Sequence, residues 1–74
     1  MENKELTNGQ KLVGYTFNPS NNVRVDKIKM LMAEVIDEIE LTEITTEHQR
    51  ETLEFAKKQI VGAKMWAVES IFAK

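Results

Sequence analysis

The sequence predicts an all-α fold: an antiparallel helical hairpin preceded by a short extended N-terminal segment. Three observations carry this. Apolar residues recur at spacings of three and four from Val25 to Ile39 and again from Leu53 to Ala67, the period that lays side chains on one side of an α-helix. The one proline, Pro19, lies ahead of both stretches. The link between them, Leu41-Thr-Glu-Ile-Thr-Thr46, is short enough to fold the second helix back along the first.

Residues 1–13 open with MENKELTNGQKL, which is polar, carries a Thr-Asn-Gly turn signal and keeps no sustained period. They are expected to be a flexible or extended lead-in to a helical-hairpin domain over 14–74. Around Pro19 an extended and turn-forming segment follows, because the residue before a proline is pushed out of helical space and Asn and Ser favour turns. The first helix should begin between Ser20 and Val23. Its apolar set Val25, Ile28, Leu31, Met32, Val35, Ile36 and Ile39 shares one side, with Asp26, Lys27, Glu34, Asp37 and Glu38 on the other. Three threonines then weaken helix propensity in the link. Thr46 with Gln49 three residues later matches a capping box, so the second helix should start there and run to about Ala73 with Gly62 as its only glycine. Leu53, Ala56, Ile60, Ala63 and Ala67 form its main stripe.

This second helix carries more apolar surface than one partner can cover, since Phe55, Val61, Met65, Trp66, Val68, Ile71 and Phe72 lie beside the stripe. A helix that is apolar on more than one side is normally covered on more than one side. A homo-oligomer is therefore expected, with Ile60, Ala63, Trp66, Ala67 and Ile71 at its interface and the small residues permitting close approach. The other way to cover that surface is the N-terminal segment of the same chain. A 74-residue chain without cysteine has neither a large core nor disulfides with which to stabilise a monomer.

Composition bounds the function. A formal charge of −2 argues against general binding to DNA or RNA polymers. The missing cysteines and the single histidine argue against a thiolate or zinc site, and no cofactor is expected. No signal peptide or membrane span is visible, so a soluble cytoplasmic protein is expected. Asp37, Glu38 and Glu40 point to different sides of a helix and are expected to be solvated. His48 has no nucleophile or acid in a motif around it and is expected at the surface. Phosphate loops, nucleophile elbows and metal-ligand spacings are absent from the sequence, so an enzyme is not expected. One segment is not explained by helix packing alone: Tyr15 to Lys29, YTFNPSNNVRVDKIK, where two aromatic rings and a turn lead into a basic helix start. Aromatic faces, helix N-terminal amides and nearby cations are what a phosphorylated, base-containing ligand needs. The same residues could equally be a capped turn with two rings plugging the open end of a hairpin.

FNPSNN with V-x-x-I-K, the amphipathic run ending LMAEVIDEIE and the later A-x-M-W-A-V, in that order and spacing, resemble the helical-hairpin family of phage-encoded cyclic-nucleotide sponges. These counter CBASS and, in related members, Thoeris immunity. The resemblance spans roughly Gly14 to Ile71. It implies short helical protomers in a compact hexamer that sequesters cyclic di- and trinucleotides in the host bacterial cytosol without cleaving them, thereby blocking anti-phage signalling. It also implies a ligand between protomers, held by an aromatic residue just after a glycine and by a lysine in the first helix. Gly14-Tyr15 matches the first and Lys29 the second. The spacing is one residue shorter than in that family, which leaves Tyr15 and Phe17 both open as the stacking ring. The candidate ligand contacts are thus Tyr15, Phe17, Asn18 and Lys29, with Arg24 and Lys27 as further cations. A non-catalytic oligomerisation or docking module is the alternative. A small DNA-binding regulator is a third possibility, though the chain shows no basic recognition helix.

Overall fold

The computed structural model describes residues 5–73, in which three helices form: α1 (Asn8–Val13), α2 (Val23–Ile39) and α3 (Glu47–Phe72). Residues 1–4 of the expected lead-in and Lys74 of the expected domain lie outside the described residues. No strand occurs among the described residues, so the all-α class holds.

The long helices begin where their caps place them. Asn22 accepts the Arg24 amide through its side chain at the start of α2, and Thr46 and Gln49 form the expected reciprocal capping box at the start of α3. The residues between Asn18 and Asn22 make a turn in which Asn21 adopts φ 57°, a left-handed conformation that asparagine tolerates.

α1 corrects the expected extended lead-in. Thr7 accepts the Gln10 amide while the Gln10 side chain accepts the Thr7 amide, a second capping box. Gly14, at φ 67°, ends the helix: its amide donates to the Lys11 carbonyl and the Tyr15 amide to the Gln10 carbonyl, the paired bonds of a Schellman motif. A six-residue helix is not stable alone, and α1 persists because it docks on α2. The Gly9 amide donates to Asp37 Oδ1 at 2.8 Å and the Asn8 side chain donates to Glu40. A Cβ at Gly9 would fall on the Ala33 carbonyl and within 2.7 Å of Asp37 Oδ1, so the approach requires glycine. Asp37 and Glu40, expected to be solvated, are thereby anchors for α1.

The core is small: Val13 of α1 with Ala33 and Ile36 of α2, flanked by Tyr15, Met32, Ile60 and Val61. Along α2 the buried row is Val25, Lys29, Ala33 and Ile36. Leu31 and Val35, expected on the buried side, are about half exposed. Successive residues step about 100° around a helix, so Leu31 and Val35 face away from the row that α1 selects. α3 returns past α2, with Lys57 meeting Glu40 at 3.0 Å and Val68 and Phe72 sharing a hollow with Val25 and Lys29. It buries none of its residues fully. The whole is a thin slab of 42 × 41 × 13 Å, little thicker than a single helix.

Candidate functional site

Lys29 organises a place where an aromatic ring, a cation and a hollow meet. It occupies the buried row of α2 and is only 6% exposed. Its Nζ donates to the Gly14 carbonyl at 3.0 Å and to the Phe17 carbonyl. Gly14 makes this possible, because its left-handed conformation reverses the chain and turns the Tyr15–Phe17 loop back over α2. The ammonium sits 5.6 Å from the centroid of the Phe17 ring, a cation–π contact. Phe17 itself is 70% exposed. A hollow of about 210 Å³ opens there, walled by Phe17 and Pro19 of the loop, Val25 and Lys29 of α2, and Val68 and Phe72 of α3.

The candidate contacts divide. Phe17 and Lys29 are brought together, and Asn18 lines the same hollow. Asn18 is nevertheless engaged internally: its amide nitrogen donates to the Asn22 carbonyl and to Asp26, and its oxygen accepts from the Ser20 hydroxyl. Tyr15 packs on the Val13, Ala33 and Ile36 core and does not line the hollow. Arg24 and Lys27 are exposed on α2, some 140° and 160° around the helix axis from Lys29 at about 100° per residue. The Asn21, Asn22 and Arg24 amides at the start of α2 are taken by Asn18, Ser20 and Asn22 respectively. The residues expected at an oligomer interface also divide. Ile60, Ala67 and Ile71 are half-buried, whereas Ala63 and Trp66 are exposed, Trp66 to 76%.

Two lysines of α3 gain importance that the sequence reading did not assign them. Lys57 bridges Glu40 at 3.0 Å and Glu54 at 3.2 Å, and its hydrogen bond with Glu40 holds its pKa above the ordinary 10.5 despite opposing desolvation. It lines a larger hollow of about 530 Å³ with Asn8, Leu12, Glu54, Lys58 and Val61, where no aromatic ring is present and Lys57 itself is already paired with carboxylates. Lys64 is half-buried. Desolvation and then the charge of Lys29 lower its pKa. A signal for both was available: positions 57 and 64 fall on the side of the helix that carries Leu53, Ile60, Ala67 and Ile71, so these lysines interrupt an apolar row rather than border it.

His48 is exposed, beside a hollow near the link between α2 and α3. No helix among the described residues is long and apolar enough to cross a membrane. Compared with known proteins, the chain matches no family model, no curated protein and no solved structure.

Proposed function

We propose that this chain is a non-catalytic sink for cyclic oligonucleotide second messengers, binding cyclic dinucleotides, and cyclic trinucleotides in the same manner, as a homo-oligomer of antiparallel helical hairpins. The observation that carries the proposal is the exposed Phe17 ring held beside the Lys29 ammonium at the mouth of a hollow. A solvent-facing ring offers a base a stacking platform at about 1–3 kcal/mol per base, whatever the base. An adjacent cation supplies the counter-charge for a phosphate.

The size of the hollow supports an assembly. At about 210 Å³ it falls below the roughly 300–1,000 Å³ of sites that enclose a small molecule. One protomer therefore offers part of a site. A cyclic dinucleotide repeats base and phosphate about an approximate two-fold axis, so two copies of one half-site can hold it. Sequestration requires no acid, base or metal. In a bacterial cytosol such binding would withdraw the messenger from its receptor, as the resemblance to phage sponges that block CBASS signalling implies.

Titration calorimetry against a panel of cyclic di- and trinucleotides tests this. Heat with a stoichiometry below one ligand per protomer is the expected result. Silence across the panel at about 100 µM protein, where micromolar affinities register, overturns it.

Tyr15 favours a second reading. Its ring belongs to the core and not to the hollow, as in a module that only oligomerises or docks on another protein. Under that reading Phe17→Ala changes the oligomeric state and no cyclic nucleotide binds.

A further inference from the structure

Gly62 stands at the centre of the side of α3 that the chain leaves uncovered. At about 100° per residue, Phe55, Lys58, Met65, Trp66 and Glu69 fall within about 60° of it around the helix axis, while Leu53, Ile60, Ala67 and Ile71 lie about 140–180° away. The five residues around Gly62 are all exposed, and Met65, Trp66 and Glu69 wall a hollow of about 330 Å³.

One chain gives no reason for a glycine at this position. Its φ is not in the left-handed region, unlike that of Gly14. A Cβ at Gly62 would meet nothing within 4 Å. Glycine in a helix interior is destabilising relative to alanine. On an open helix face it serves a second helix, which can approach more closely where no Cβ intervenes.

The charges on this face say how that second helix runs. Among the described residues neither Lys58 nor Glu69 has an ion-pair partner. Glu54, one turn before Lys58, is turned to Lys57 at 3.2 Å. Lys58 and Glu69 are about 16 Å apart along their own helix at about 1.5 Å per residue, too far to meet. In an antiparallel pair whose two-fold axis passes between the two copies of Gly62, the partner's Glu69 comes within about 4.5 Å of Lys58 along the axis. Both are rotated in the same sense from Gly62 and so share one edge of the seam. Phe55 and Trp66 are rotated the other way, which sets Phe55 beside the partner's Trp66 at the other edge. A parallel pair would instead hold Lys58 level with its own copy and Glu69 level with its own copy, and like charges across an interface oppose binding.

We propose that α3 pairs with α3 of a second copy of the chain, antiparallel and crossing at Gly62, with the contact between Lys58 and Glu69 made twice by symmetry. The partner's Phe55 and the partner's Lys58 then cover the hollow between Met65, Trp66 and Glu69. This seam rests on the homo-oligomer of the reading given above and not on its ligand.

The test is sedimentation equilibrium from about 1 to about 100 µM, a span that brackets micromolar self-association. It compares wild type with Lys58→Glu, Glu69→Lys, the double reversal and Gly62→Leu. Each single reversal puts two like-charge contacts into the seam and should weaken self-association about tenfold, and the double reversal should restore it. Rescue within one chain is ruled out by the distance between the two positions. Gly62→Leu should keep its helical circular dichroism and fall to at most half the wild-type mass. Single reversals that associate like wild type, or a double reversal no better than either single, overturn the antiparallel seam. Wild-type mass in Gly62→Leu overturns it too, and loss of helicity in that variant overturns the crossing point by making position 62 a packing position within one chain. A wild type that stays monomeric throughout overturns the seam and leaves the face to a different protein. Calorimetry with a cyclic dinucleotide separates this from the proposed function: heat from wild type with a failed seam leaves the binding standing, and the expected reversal pattern without heat keeps the seam and overturns the ligand.

Discussion

A lysine on the buried row of a helix must give its N–H groups acceptors, and Lys29 gives two of them to the Gly14 and Phe17 carbonyls. Replacing it with methionine leaves both carbonyls short of a donor and frees the loop. A loss of about 1–3 kcal/mol in denaturant unfolding is expected, so a Lys29 variant cannot separate binding from folding. Phe17 can, because its ring is largely in solvent. Phe17→Ala gives up one cation–π contact and should lower the unfolding midpoint only slightly, while weakening cyclic dinucleotide binding by about 1–3 kcal/mol per stacked base in calorimetry; unchanged affinity would remove the ring from the site. Gly9 is the other residue whose identity is dictated by geometry. With the Ala33 carbonyl in the place a Cβ would occupy, Gly9→Ala must push α1 off α2, an overpacking cost of about 1–3 kcal/mol readable as a lower melting temperature. The sequence suggested that Phe17 and Lys29 belong together. It did not reveal that Lys29 is buried, because burial at position 29 depends on where the loop after Gly14 lands, and no local pattern records that.

Each element shows why some helices are legible in a sequence and others are not. α2 and α3 announce themselves through long apolar periods and through caps, and Thr46 with Gln49 marks the start of α3 to the residue. Thr7 with Gln10 is the same signal, followed by a terminating Gly14. With only six residues between these marks there is no room for a period, and the stabilising contacts, Gly9 to Asp37 and Val13 to Ile36, come from α2. Thr7→Ala should therefore cost about 0.5–2 kcal/mol and should raise hydrogen exchange at the Gly9 and Gln10 amides before any in α2. Equal acceleration in both helices would mean α1 and α2 open together. Between α2 and α3 the tie is Lys57, whose pKa is raised above 10.5, chiefly by its hydrogen bond with Glu40. A raised lysine pKa contributes stability in full below 10.5 and loses it as pH climbs through the higher folded value. Unfolding free energy should accordingly fall above pH 10.5, and Lys57→Met should show a shallower fall in pH-dependent denaturation. Lys64 acts with the opposite sign and below 10.5, because a lowered pKa relieves the folded state as its proton leaves.

At the scale of the molecule the dominant fact is thinness. The Cα radius of gyration is 13.9 Å, against about 11 Å for a compact chain of this length. A slab 13 Å thick cannot cover both of its faces. Phe55, Met65 and Trp66 are each more than 60% exposed on α3, and at about 100° per residue they lie within roughly 100° of arc, on the side away from Ile60, Ala67 and Ile71. The sequence made this excess of apolar surface visible. It could not divide that surface, because Ile60, Ala67 and Ile71 turn toward α2 while Trp66 turns outward, and the division depends on how α3 is rotated against its neighbour. An uncovered apolar side of this kind is expected to find a second copy of the chain. Trp66 is the only tryptophan, so its emission reports that event without interference. On raising the protein from about 1 µM to about 100 µM, a span that brackets micromolar self-association, emission should shift to the blue in step with an increase in sedimentation coefficient. Trp66→Ser should hold the chain at monomer mass across the same range and, on the proposed reading in which two protomers share the site, should weaken cyclic dinucleotide binding as strongly as the loss of Phe17 itself. Monomer mass at every concentration, with red-shifted emission throughout, would show that the slab stands alone and would remove the shared site with it.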